Sequence, residues 1–302
     1  MCLPLCLNEM RLMSRRGFLA AGLATTAGAA ALAQAKPERR PEAAASVAAT
    51  VGPADPARAP APGSSGGDGP LGPFGFRRVL DLTHTLTPDF PTGSGQSQLT
   101  MERVSTRPKD PWNIYRWHIH EHTGTHIDAP LHRSNKDSAD LIPASGLVGP
   151  LAVVDIRRKA AVDADAELTL DDLRAWESRN GPLPSGGIVA MCSGWDAHVH
   201  TAKFRNAAGD GALHTPGFHL EAVEFLLAER EIKGIVVDTL SLDRGLSPDF
   251  PVHSRWLGSN RWGLECVANL GELPPKGATL VVGSPKIAGA SGGPSRVFGL
   301  VQ

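Results

Sequence analysis

Four short apolar runs punctuate the chain from its middle onward: Leu151 to Ile156, Gly187 to Cys192, Gly234 to Asp238 and Ala278 to Gly283. Each has the length and composition of a buried strand. An earlier run, Val79 to Thr83, reads as a strand that leads into a turn region marked by Pro88, Pro91, Gly93 and Gly95. From Tyr115 to His122 the pattern changes to strict alternation, which predicts a strand carrying His118, His120 and His122 on one face. Helical periods lie between the runs. Thr169 precedes a helix over Leu170 to Glu177 with Asp172 placed for a capping box, and Glu221 to Arg230 carries apolar residues at Val223, Leu226 and Leu227. Strands alternating with helices, with no internal repeat, predict an α/β core.

The pattern fades toward the N-terminus. From Lys36 to about Phe74 the chain is dominated by Ala, Pro, Gly and Ser, with few large apolar residues, and this predicts a disordered linker over 36–76. Before it, Ser14-Arg15-Arg16-Gly17-Phe18-Leu19 opens an uncharged, weakly apolar stretch that ends in small residues at Ala33 and Ala35. That arrangement resembles a twin-arginine export signal over 1–35, cleaved after Ala35, and implies a periplasmic protein with no stable membrane association once the signal is removed. The remaining residues, 77–302, have the size of one domain.

Composition narrows the function. The 302 residues are 41% hydrophobic and carry a formal net charge of -1, with no basic run outside the N-terminal region, so a nucleic-acid partner is not expected. Of four cysteines, Cys2 and Cys6 precede the expected cleavage point, and Cys192 and Cys266 sit in or beside apolar stretches, as buried free thiols do.

The chemistry concentrates between His122 and His132. His122-Thr123-Gly124-Thr125-His126-Ile127-Asp128-Ala129-Pro130-Leu131-His132 holds three imidazoles and a carboxylate with bending points at Gly124 and Pro130. Imidazole and carboxylate suit Zn²⁺ or Mn²⁺, and a catalytic zinc site takes three protein ligands and leaves a position for water. His122, His126 and Asp128 meet that count. His132 is left over, with the role of a proton shuttle. Five of the eleven histidines fall between His118 and His132, a density that a solvated polar loop does not explain. His118 and His120 themselves read as outer or solvated groups.

The motif His-x-Gly-Thr-His-x-Asp-x-Pro-x-His resembles the signature of the cyclase family of metal-dependent hydrolases, which includes kynurenine formamidases and isatin hydrolases. Asp81 to His84 resembles the family's opening strand, and Val237 to Asp243 resembles its Asp-Thr-x-Ser-x-Asp segment. On the residues alone, His253 is an ambiguous loop histidine and Glu265 a solvated helix charge; the resemblance makes them the family's distal His and Glu, which complete a second metal position in the formamidase members, with Asp128 bridging if two ions bind. It also implies one or two Zn²⁺ or Mn²⁺ ions, a swivelling β/β/α fold around a small central barrel, and a homodimer or homotetramer.

The implied activity is hydrolysis of a C–N bond in a small amide, arylformamide or lactam by metal-activated water, with His132 as the acid/base. One departure bears on substrate. Kynurenine formamidases carry a substrate-contacting Trp in the proline-rich turn, where this chain reads Phe90-Pro91-Thr92-Gly93-Ser94-Gly95. Trp112, Tyr115, Trp117 and Trp195 are the aromatic residues that could replace it, each equally explicable as core packing. The alternative function is a non-catalytic exported metal-binding protein on the same ligands, which turnover would exclude.

Overall fold

The computed structural model describes residues 75–302, all within one compact unit. The expected signal (1–35) and nearly all of the expected linker (36–76) lie outside the described residues. In chain order the strands are β1 (Arg78–Asp81), β2 (Leu99–Ser105), β3 (Ile114–Ile119), β4 (His126–Asp128), β5 (Val148–Asp155), β6 (Glu167–Leu168) and β7 (Gly187–Cys192). They continue as β8 (Gly217–Phe218), β9 (Ile232–Val237), β10 (Trp262–Glu265), β11 (Ala278–Gly283), β12 (Gly292–Pro294) and β13 (Arg296–Val301). The helices are α1 (Arg157–Ala160), α2 (Leu170–Asn180), α3 (Leu220–Glu229) and α4 (Pro251–Leu257).

The four apolar runs become β5, β7, β9 and β11, inside a nine-stranded sheet ordered β1-β13-β11-β5-β7-β9-β10-β4-β12. The centre, β5-β7-β9-β10, is parallel and the flanks are antiparallel. Crossovers through α2, α3 and α4 require this, because parallel neighbours cannot be joined by a tight turn. Both faces are covered, which is why the runs are apolar without alternation. Val189 and Met191 pack with Trp176, Leu226 and Trp256 under the helices, whereas Ile188 and Ala190 join Leu80, Ile127, Leu264 and Val297 on the other face. That second cluster unites residues from both ends of the sheet, and a bridge from Thr83 to Val267 ties the end of β1 to the chain just after β10. The sheet is therefore curled around its inner face.

Local sequence explains the helix that covers the outer face. Thr169 caps α2 and Asp172 completes the capping box, with Gly181 ending it at φ 82°. The Trp176 indole N–H donates to the Val153 carbonyl at 2.9 Å, locking the helix to β5.

The alternating segment departs from its expectation. β3 ends at Ile119, so His120 and His122 lie beyond it, and the strand pairs only with β2, forming a ribbon outside the main sheet. Trp112, Tyr115 and Trp117 are exposed on this ribbon at 57%, 38% and 67%, which removes the core-packing explanation for them. Trp195 alone of the four aromatics is core, 2% exposed. Cys192 and Cys266 are buried free thiols.

Candidate metal centre

His122 sits in a bend whose turning residue is Gly124, with φ +67° and the Leu86 side chain 2.9 Å from where a Cβ would stand. Beyond the bend, β4 is only three residues long, but it lies between β10 and β12. Residues two apart on a strand share a face, so His126 and Asp128 project together, and the register that pairs His126 with Glu265 brings a third polar side chain to that face. Glu265 is thus a buried strand residue, 5% exposed, and not a solvated helix charge. His253 is on α4 rather than in a loop, and is also buried.

The five side chains converge. His122 Nδ1 lies 2.6 Å and His126 Nε2 3.3 Å from Asp128 Oδ1, and His253 Nε2 lies 3.4 Å from Asp128 Oδ2. Glu265 faces His253 Nε2 at 2.9 Å through Oε1 and His126 Nε2 at 3.4 Å through Oε2. Two overlapping sets could each hold a cation: His122, Asp128 and His132, and His126, Asp128 and Glu265, with each set's ligand atoms within 4.8 Å of one another. Asp128 belongs to both. His132 stacks on His122 with ring centroids 3.7 Å apart and presents an open edge to solvent. His118 and His120 are exposed and belong to neither set.

Outer contacts hold the imidazoles. His126 Nδ1 lies 2.9 Å from the Gly124 carbonyl, which leaves Nε2 turned to the carboxylates. Asp243 accepts from the backbone N–H groups of Val252 and His253 at the start of α4 and meets His253 Nδ1 at 2.6 Å, directing Nε2 inward. The Leu242 N–H donates to Glu265 Oε1 at 2.9 Å. Ser291 Oγ lies 2.9 Å from His122 Nε2. Sequence reasoning assigned no role to Ser291 or Asp243; Asp243 ends a quoted motif, but its part depends on where α4 begins. Asp238 of the same motif instead receives the Ser193, Gly194 and Trp195 N–H groups, away from the cluster.

The electrostatics call for a cation. Burial works to lower the His126 pKa, but Asp128, Glu265 and the Gly124 carbonyl overcome it and raise the group to about 9. His253 is raised well above its usual value against the same burial, by Asp128, Asp243 and Glu265. Burial would lift Asp128, yet contacts with three imidazoles hold it well below the usual carboxylate range. Nevertheless His126 Nε2 and Asp128 Oδ2 are buried without a hydrogen-bond partner. Buried polar atoms left without a well-aligned hydrogen bond are costly, and a divalent ion taken up in place of the imidazole proton would satisfy both at once. His132 differs: desolvation of its packed face, with His122 and His253 nearby, pushes it down to about 4.

A cavity of about 200 Å³ opens in front of the cluster, lined by Phe90, Pro91, Gly93, His122, His126, Leu240 and Glu265 among others. Arg205 holds one wall by donating to the carbonyls of Thr92 and Gly93 at 2.8 and 3.1 Å.

Comparison with known proteins agrees with this geometry. The family model Cyclase, described as "Putative cyclase", matches residues 80–244. Isatin hydrolase of Roseibium aggregatum is 34% identical over 242 residues, covering 74% of this chain and 91% of that protein. Kynurenine formamidase of Salinibacter ruber is 25% identical, covering 72% and 95%. Among solved structures, isatin hydrolase A from Labrenzia aggregata bound to benzyl benzoate superposes with a TM-score of 0.70 at 37% identity, over 74% of this chain and 93% of that one. With the family model matching more than half of the chain and a relative this similar over nearly all of that relative's length, the chain belongs to the cyclase family.

Proposed function

We propose that this chain is a metal-dependent hydrolase that opens the C–N bond of a small aryl lactam or arylamide. The observation that carries the reading is the pair of buried atoms without a hydrogen bond, His126 Nε2 and Asp128 Oδ2, in a cluster whose His122, His126 and Glu265 line a cavity of about 200 Å³. His122, His126 and Asp128 would hold one Zn²⁺ or Mn²⁺ ion, with Asp128, His253 and Glu265 available for a second. When bound, the ion supplies Lewis-acid chemistry, lowering the pKa of water toward neutrality and polarising a carbonyl. The chain's residues do the rest. Phe90 and Leu240 give the cavity apolar walls suited to a ring, and the enclosed floor limits bulk water. His132, neutral at pH 7, takes a proton from the attacking water and returns it to the departing nitrogen.

Similarity to isatin hydrolase supports a lactam, and Gly93 in place of a bulky aromatic at the cavity wall favours that over the arylformamide of the kynurenine formamidases. In this reading the domain takes the family's swivelling β/β/α form, assembles as a homodimer or homotetramer, and works in the periplasm after export.

Turnover of isatin-like lactams and aryl formamides by protein loaded with Zn²⁺ or Mn²⁺ is the test. The expected result is ring opening that chelation abolishes and metal restores. A well-metallated protein that turns over none of them is a metal-binding protein instead.

A further inference from the structure

His122 is held differently from the other two imidazoles. His126 and His253 each give Nδ1 to a fixed partner and turn Nε2 to the carboxylates, whereas His122 turns Nδ1 to Asp128 at 2.6 Å and leaves Nε2 outward. It lies in the bend before β4, so strand pairing does not orient its ring. What meets Nε2 is Ser291 Oγ at 2.9 Å, and Ser291 Oγ lies 2.5 Å from Glu121 Oε2. We infer that Glu121 and Ser291 are a positioning pair that fixes the His122 ring with Nε2–H turned to Ser291, which leaves Nδ1 as the atom that would face a metal ion. The inference rests on the metal reading above and adds residues to it.

Hydrogen-bond accounting gives the direction. A carboxylate only accepts, so the Ser291 hydroxyl hydrogen goes to Glu121, and the hydroxyl's lone pair is what remains for His122. Nε2 must then carry a hydrogen, and Nδ1, facing the Asp128 carboxylate at 2.6 Å, carries the other until a metal ion takes that hydrogen's place. The chain of donation runs one way, from Nε2–H to Oγ and from Oγ–H to the carboxylate. It places a negative charge at the end of a relay from a ligand imidazole, which raises the basicity of that ligand.

Ser291 is itself firmly placed. Its backbone N–H faces both Glu121 oxygens at 3.3 Å, and its carbonyl accepts the Ala129 N–H at 2.9 Å, just before β12 joins β4. At the next residue, Gly292, a Cβ would stand 2.8 Å from His122 Cε1, so the ring occupies space that only glycine leaves free. The His132 ring packs on it at 3.7 Å. Neither Glu121 nor Ser291 belongs to a candidate ligand set, so the pair acts through His122.

Chelator competition for Zn²⁺ on the full chain tests this, read beside thermal unfolding of the metal-free protein. Ser291→Ala is expected to weaken Zn²⁺ binding by roughly tenfold to a hundredfold, with the metal-free unfolding midpoint unchanged. Ser291→Thr, which keeps the hydroxyl, should restore most of the affinity. Glu121→Gln should weaken binding less than Ser291→Ala does. The double variant should be little weaker than Ser291→Ala, because Glu121 acts chiefly through the hydroxyl, its own carboxylate lying 4.0 Å from Nε2. Nitrogen NMR of the zinc-loaded wild type should show His122 protonated at Nε2. Equal affinity in wild type and Ser291→Ala overturns the inference and leaves the metal reading standing. So does a midpoint that falls in step with affinity, since that is a purely structural role. A wild type that takes up no Zn²⁺ overturns the metal reading, and this inference with it.

Discussion

At His132 two roles compete for one imidazole. Its ligand atom lies within 4.8 Å of those of His122 and Asp128, yet its ring stacks on His122 and its pKa is pushed down to about 4, chiefly by desolvation. A base that is neutral at pH 7 is ready to accept a proton, whereas a ligand would take metal with it when removed. His132→Ala is therefore expected to lower kcat by about 10²- to 10⁴-fold with metal content per chain unchanged, measured by steady-state kinetics beside elemental analysis. Loss of metal together with activity would make His132 a ligand and remove the proposed acid/base. The residues of this half of the site were legible in the sequence because they fall within eleven positions, dense enough to stand out from background. Ser291 was not, because a serine in a Gly-rich stretch has no distinguishing composition, and its part appears only when β12 is laid against β4.

Elements explain what was read correctly and what was not. The runs that became β5, β7, β9 and β11 were visible because strands covered on both faces leave no polar position to blur them. Without the family resemblance Glu265 reads as a solvated helix charge, because its burial depends on β10 pairing with β9 and β4, a register that no local pattern encodes. The alternation of β3 is that of a half-buried strand, but the ribbon buries almost nothing, so core packing does not explain Tyr115 and Trp117. The α2 cap, by contrast, is local and was fully legible. Asp172 there receives Lys159 Nζ at 2.6 Å and the Thr169 N–H at 2.8 Å. Burial opposes ionisation, but these contacts overcome it and lower the carboxyl's pKa below 3.8. A depressed folded-state pKa means that the contribution is complete above the unfolded value and is lost as pH falls through the folded one. Asp172→Ala should accordingly cost about 1–2 kcal/mol at pH 7, and the gap to wild type should close as pH falls below about 4, checked by urea unfolding across that range. A gap independent of pH would assign the effect to helix propensity instead.

For the whole molecule, the ribbon is the part of the described residues that the fold does not account for. β2 and β3 pair only with each other, and a lone two-stranded hairpin is marginal in water. It nevertheless exposes Val104, Trp112, Ile114, Tyr115 and Trp117, two of them tryptophans more than half exposed. Tyr115 and Trp117, two apart on β3, share one face of the ribbon, and a homo-oligomer of the proposed kind would bury exposed aromatic surface of this sort. The ribbon's strands also flank the chain leading into the site, since His122 follows β3 by three residues. An assembly built on the ribbon would steady that approach without supplying ligands. Light scattering coupled to size exclusion should therefore find a dimer or larger species for the chain lacking residues 1–35. Trp117→Glu, which places a charge at the most exposed of these aromatics, should shift it toward monomer with zinc content preserved. A wild type that is monomeric at micromolar concentration would leave the ribbon without that role, and retained assembly in Trp117→Glu would move the interface elsewhere.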